Sequence, residues 1–213
     1  MEIVPDPTNS LDSEGKTRGN VLKHTIDGDP VQHLDWGSDL WWRALYSTWR
    51  NGVNVQTLPE PAVIQVDIIK STELLGGILG FHRLNKKTGD SISVAAIEAD
   101  RGDVLKLLAR DGKGNDTRLR LKAGLFDSRK WNTIAIELRP DGTLIPWING
   151  INAYVDPTKP LKVPVDAEHD PGFMDAHAGY QIASPQKNDG IQNGLWLMND
   201  NFMVIKYESE VDR

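Results

Sequence analysis

An all-β fold, two antiparallel sheets packed as a sandwich, is what this sequence predicts, and three observations lead to it. Short runs with period-two alternation recur along the chain, turns rich in Gly and Asp separate them at roughly 8–12 residue intervals, and helical spacing is nearly absent. The expectation is about twelve to fourteen strands with at most one short helix. They form a single domain over residues 1–213, because no linker, repeat or low-complexity segment divides the chain.

The first element admits two readings. In DLWWRALYSTWRNG (Asp39 to Gly52), Trp42, Leu45, Tyr46 and Trp49 have helical spacing, with Asp39 as a cap and Gly52 as a stop. Trp, Tyr and Thr also favour strands, and Trp41, Arg43 and Leu45 alternate with Trp42, Ala44 and Tyr46, so strand is preferred. AVIQVDIIKS (Ala62 to Ser71) alternates around Val66 and Ile68; GGILGFHRL (Gly76 to Leu84), DSISVAAIEA and DVLKLLARD follow as strands. In TRLRLKAGLF, Arg118, Arg120 and Lys122 alternate with Leu119, Leu121 and Ala123, giving one basic and one apolar face.

KWNTIAIELRPDGTLIPWING (Lys130 to Gly150) alternates on both sides of a Pro-Asp-Gly turn and ends in Asn149-Gly150, a pair suited to the positive φ of a tight turn. Trp131 and Trp147 are expected to pack across the ladder. Asp156 to Met174 holds four prolines and no periodicity, and reads as a surface excursion. HAGYQIAS, a loop, and LWLMNDNFMVIKYE close the chain, with Phe202 to Tyr207 expected as a final buried strand.

Composition bounds the function. Hydrophobic residues are 39% and charged residues 25%, as in a globular domain rather than a disordered chain. The net charge of −6, with no lysine or arginine block, argues against a nucleic-acid partner. Cysteine is absent, which excludes disulfides, thiolate nucleophiles and cysteine-ligated zinc. No apolar run approaches a membrane span, and the N-terminus has no signal-peptide pattern, so cytoplasmic synthesis is expected, followed by placement in a virion or release on lysis.

The tryptophan, Pro-Asp-Gly turn and Trp-Ile-Asn-Gly of the Lys130–Gly150 hairpin resemble the signature hairpin of concanavalin A-like jelly rolls, which include laminin-G domains, legume-type lectins and several polysaccharide lyase families. RGNVLKHTI (Arg18 to Ile26), LWWRALYS, GGILGFH, HAGYQI and NDNFMVIKY resemble, in order, strands of the heparin-lyase-like polysaccharide lyases. Such lyases abstract the C5 proton of a uronic acid, which needs a proton-transfer pair and a group that neutralises the carboxylate. The resemblance implies His82 and Tyr180 as the pair and Arg43 at the carboxylate. This chain departs from the pattern: Gly80-Phe81 stands where Gln-Trp is expected, Ala44-Leu45 follows Arg43 without the glutamate, and Gln181 replaces the arginine after Tyr180.

Each candidate also has a plainer explanation. His82 can be a strand-end histidine bonded locally. Trp36, Trp41, Trp42 and Trp49 form an aromatic cluster able to stack on sugars or meet a partner, and aromatics equally fill cores. Arg118 and Arg120 suit an acidic glycan or partner, or are the solvated face of a strand. His24 and His33 flank Asp27 and Asp29, with Asp35 beyond, and Asp200 sits between Asn199 and Asn201. Either group offers ligands for calcium, but turn chemistry explains the first as well; no motif requires a metal or cofactor.

Half a lyase constellation on a binding fold points to a non-enzymatic carbohydrate-binding or structural module, bound to a glycan or to other subunits of an assembly such as a phage capsid or tail. The alternative is a polysaccharide lyase acting on a uronic-acid polymer by β-elimination. A glycoside hydrolase is least favoured, because Glu98-Ala99-Asp100 lacks a partner carboxylate.

Overall fold

A computed structural model describes residues 2–12, 15–25, 41–47, 62–84, 91–111, 113–164, 174–182 and 194–206. Among them are thirteen strands and no helix. These are β1 (Glu2–Pro5), β2 (Asn20–Thr25), β3 (Trp41–Ser47), β4 (Ala62–Lys70), β5 (Gly76–Leu84), β6 (Ser91–Ala99), β7 (Leu105–Arg110), β8 (Asp116–Arg120), β9 (Asn132–Leu138), β10 (Leu144–Ile148), β11 (Ile151–Asn152), β12 (Met174–Ile182) and β13 (Trp196–Lys206). One sheet has the order β1-β2-β13-β4-β9-β10-β11 and the other β3-β12-β5-β6-β7-β8. The pairings are antiparallel, as local alternation demands when one face of each strand is buried.

The core lies between the sheets. Ile64, Val66 and Ile68 of β4 and Ile134, Ile136 and Leu138 of β9 meet Leu79 and Phe81 of β5, Ile97 of β6 and Leu107 of β7. Period two puts these side chains on one face, and the same alternation sends Gln65, Thr133, Glu98 and Lys106 to the other. DLWWRALYS resolves as strand, with β3 at an edge of the six-stranded sheet. There the backbone of β3 pairs with β12, and Trp and Tyr, which suit strands as well as helices, allow it despite the helical spacing.

Three details differ from expectation. Trp131 precedes β9 and Trp147 pairs with Ala135 and Asn152, so the two tryptophans do not face each other across the ladder. Trp131 instead lies over Arg18, 4.4 Å from guanidinium carbon to ring centroid, and Trp147 donates to Glu137. The last strand begins at Trp196 and contains a bulge at Asp200–Met203; beyond the bulge Met203 and Ile205 are exposed rather than buried. The proline-rich stretch ends earlier than expected, because Met174 already belongs to β12.

The Asn149-Gly150 turn behaves as its residues require, with φ of 51° and 77°. Asn149 also ties the turn inward, its amide donating to the Leu125 carbonyl and its side-chain oxygen accepting Thr133 N–H. Gly80 marks a close approach between strands. A Cβ there would lie 2.9 Å from the Ala95 carbonyl oxygen and 3.3 Å from the Ala96 Cβ. Gly80→Ala is therefore expected to cost roughly 1–3 kcal/mol, read as a lowered urea midpoint; an unchanged midpoint would show that the strands separate freely.

Candidate functional site

The six-stranded sheet gathers the polar and aromatic candidates. β12 lies between β3 and β5, so strands distant in sequence become neighbours. Tyr180 is directly opposite Arg43, Gln181 opposite Trp42, and Ile182 opposite Trp41. On the other side of β12, Asp175 is opposite His82 and His177 opposite Gly80. The three residues that the lyase resemblance singles out thus occupy three adjacent strands.

They do not occupy one spot. Ala178 pairs with Leu79 and Gln181 with Gly77, so Tyr180 stands near Ile78, four positions along β5 from His82. At the rise of a strand that is roughly 13 Å between backbone positions. Tyr180 and Arg43 form one pair, His82 and Asp175 another. Asp175 was not singled out from the sequence, because the stretch before His177 looked like loop; the alternation of MDAHAGYQI is its only local signal.

Two rows cross the whole sheet. One runs Trp42, Gln181, Gly77, Glu98, Lys106, Arg120. The other runs Ser47, His177, Gly80, Ala96, Leu108, Arg118. Gly77 lies near the middle of the first row, between Gln181 and Glu98, and Gly80 and Ala96 lie in the middle of the second; Trp42 and Ser47 take the β3 edge and Arg120 and Arg118 the β8 edge. Six strands span about 24 Å between edge strands.

The basic stripe is mostly neutralised. Arg118 forms a fork with Glu98, at 2.8 and 3.2 Å, and also reaches Asp116. Its hydrogen bonds to Glu98 raise its pKa. Arg110 bonds Asp116 and, with Arg118, holds that carboxyl below the usual range. Lys106 does the same for Asp100 by hydrogen bonding. Arg120 has no ion pair among the described residues. It is the arginine of this edge still free to meet an anion.

Trp41 and Trp42 lie at the far edge from Arg118 and Arg120. Trp36 and Trp49, and the proposed metal ligands His33, Asp27, Asp29 and Asp35, lie outside the described residues. No group of three or more His, Asp or Glu side chains among the described residues is arranged to hold a metal. Asp200, the second calcium candidate, is instead bonded to Arg18 at 2.9 Å.

No protein-family model matches the chain, and no curated protein matches it in sequence. Solved structures do match in fold. An alginate lyase from Pseudomonas aeruginosa aligns with a TM-score of 0.51 at 15% identity, over 70% of this chain and 66% of that one. Alginate lyase A1-II′, of polysaccharide lyase family 7, aligns with a TM-score of 0.51 at 11% identity, over 93% of this chain and 76% of that one. A variant of the same enzyme, crystallised with its substrate, gives 0.51 at 10% identity, over 76% and 67%. The chain therefore spans about two thirds to three quarters of the lyase chains it matches. Together with the two antiparallel sheets, this likeness shows a concanavalin A-like jelly-roll fold of the kind polysaccharide lyases use.

Proposed function

We propose that this jelly roll is a carbohydrate-binding module whose ligand, an acidic polysaccharide, lies across the six-stranded sheet. The observation that carries this reading is the row from Trp42 to Arg120, with Gly77 near its middle. Such a row places a tryptophan, the residue type that stacks on sugar rings, at one edge strand and an arginine without an ion pair among the described residues at the other, with the polar residues Gln181, Glu98 and Lys106 flanking Gly77 between them. A ligand long enough to use both ends is a polymer.

Affinity electrophoresis through gels containing alginate, heparin or glucuronan tests this. The wild-type protein should be retarded, and Trp42→Ala and Arg120→Glu should each weaken binding by about tenfold, the factor that 1.4 kcal/mol represents. Added salt should weaken the Arg120 contribution most. Equal mobility of wild type and both variants in every acidic polysaccharide would overturn the reading.

One observation favours a lyase as the second reading: His82, Tyr180 and Arg43 lie on adjacent strands of a fold that alginate lyases share. In that chemistry a base removes the C5 proton, the C4–O bond breaks, and the departing oxygen takes a proton. The spacing between His82 and Tyr180 speaks against both acting on one sugar, which is why binding is preferred. Appearance of the ultraviolet absorbance of unsaturated sugar ends, lost in His82→Ala, would reverse the order of the two readings. Membership in a larger assembly, such as a phage particle, belongs to the binding reading and is checked by co-sedimentation with particles.

A further inference from the structure

Lys70, the last residue of β4, is among the largest fully buried side chains of the described residues. Its ammonium lies at the end of the sandwich where the chain crosses from one sheet to the other. Five backbone carbonyl oxygens surround it: Ser71 at 3.3 Å, Thr72 at 3.2 Å and Leu74 at 3.4 Å from the crossover, and Asp100 at 3.5 Å and Gly102 at 3.2 Å from the turn between β6 and β7. The ring of Phe126 lies 5.9 Å away. The carboxyl groups of Asp103, Glu73 and Asp100 act on the ammonium electrostatically from farther out.

An ammonium has three N–H donors, fewer than the acceptors presented. The cage is also braced independently of Lys70, because Gly102 N–H bonds the Thr72 carbonyl and Leu74 N–H bonds the Ser71 carbonyl. Converging carbonyls held by their own loops are how proteins replace the hydration shell of potassium. Calcium and magnesium need oxygen at about 2.0–2.6 Å and usually carboxylates among the ligands. Here the oxygens are neutral and stand farther from the centre.

We propose that this corner is a monovalent-cation site whose occupant the chain supplies itself, with Lys70 Nζ standing where potassium or ammonium would bind. The crossover between the sheets and the β6–β7 turn are joined through that cation, and the tether frees the joint from dependence on soluble ions.

The test is thermal unfolding at pH 7 of wild type, Lys70→Ala and Lys70→Met in matched ionic strengths of ammonium, potassium and choline chloride. Lys70→Ala should unfold well below wild type in choline and recover by roughly 3–6 °C, saturably, in ammonium or potassium. Wild type should show no such preference. Lys70→Met, whose stem fills the entry, should be destabilised and unresponsive. Identical melting of Lys70→Ala in all three salts, or Lys70→Met as stable as wild type, would overturn the proposal. If Lys70→Ala folds in no salt, the wild type decides. A slowly exchanging Lys70 ammonium proton resonance supports the caged cation, and exchange as fast as that of surface lysines overturns it.

Discussion

Replacing Arg18 with methionine is expected to lower stability by roughly 3–5 kcal/mol, the cost of removing one partner from a buried ion pair. Arg18 and Asp67 are almost wholly buried on the outer face of the seven-stranded sheet, 2.7 Å apart, with side-chain exposures of 4% and 1%. Arg18 also bonds Asp200 and packs on Trp131, while Asp67 accepts Thr133 and Asn201. Removing the cation leaves the Asp67 carboxylate buried with only Thr133 and Asn201 as its side-chain donors. Urea unfolding measures the loss, and Arg18→Met/Asp67→Asn should recover a large part of it, since the stranded charge is then gone. A single-variant loss below about 1 kcal/mol would mean that Thr133 and Asn201 suffice for Asp67.

The second large effect is in alkali. Burial pushes the Lys70 ammonium down to about 8 from its ordinary 10.5, against the raising influence of Asp103, Glu73 and Asp100. Between those values the unfolded chain keeps the proton and the native chain releases it, so stability rises with pH across this window. The full span contributes about 3 kcal/mol, complete by pH 10.5 and absent below pH 8. The neutral amine still carries two N–H donors for the cage. Denaturant midpoints from pH 7 to 10.5 should climb for wild type and stay flat for Lys70→Met; a wild-type midpoint that falls across the window would mean that the carbonyl cage holds the proton against burial.

Much of the fold is legible in local residues. β4, β8 and β9 announce themselves by alternation, and Asn149-Gly150 by the left-handed backbone those residues tolerate. β3 is legible only as an ambiguity, because Trp and Tyr serve helix and strand alike and the pairing with β12 decides. β13 misleads in its last turn: an apolar run reads as buried, but the bulge at Asp200–Met203 exposes Met203 and Ile205.

The candidate site is less legible, for reasons that lie in the pairing. His82, Arg43 and Tyr180 were recognisable through the resemblance, yet nothing local says that Tyr180 meets Arg43 while His82 meets Asp175. Arg118 and Arg120 look equivalent in TRLRLKAGLF, and only Glu98, twenty residues earlier, makes one spoken for and the other free. Lys70 reads as the polar end of a strand; its five carbonyl partners come from two loops folded over it.

By itself the sequence determined that the clearly alternating segments such as β4, β8 and β9 become strands, where turns such as Asn149-Gly150 fall, and that the sheets must bury their alternating apolar faces against each other. Those follow from rotamers, backbone φ and period, which act within a few residues. The tertiary structure alone decided which strands are neighbours, how each pair is registered, and therefore which charges cancel and which remain. Register shifts by single residues carry little local cost but move a side chain to the other face of the sheet, so only packing of the complete sandwich selects among them.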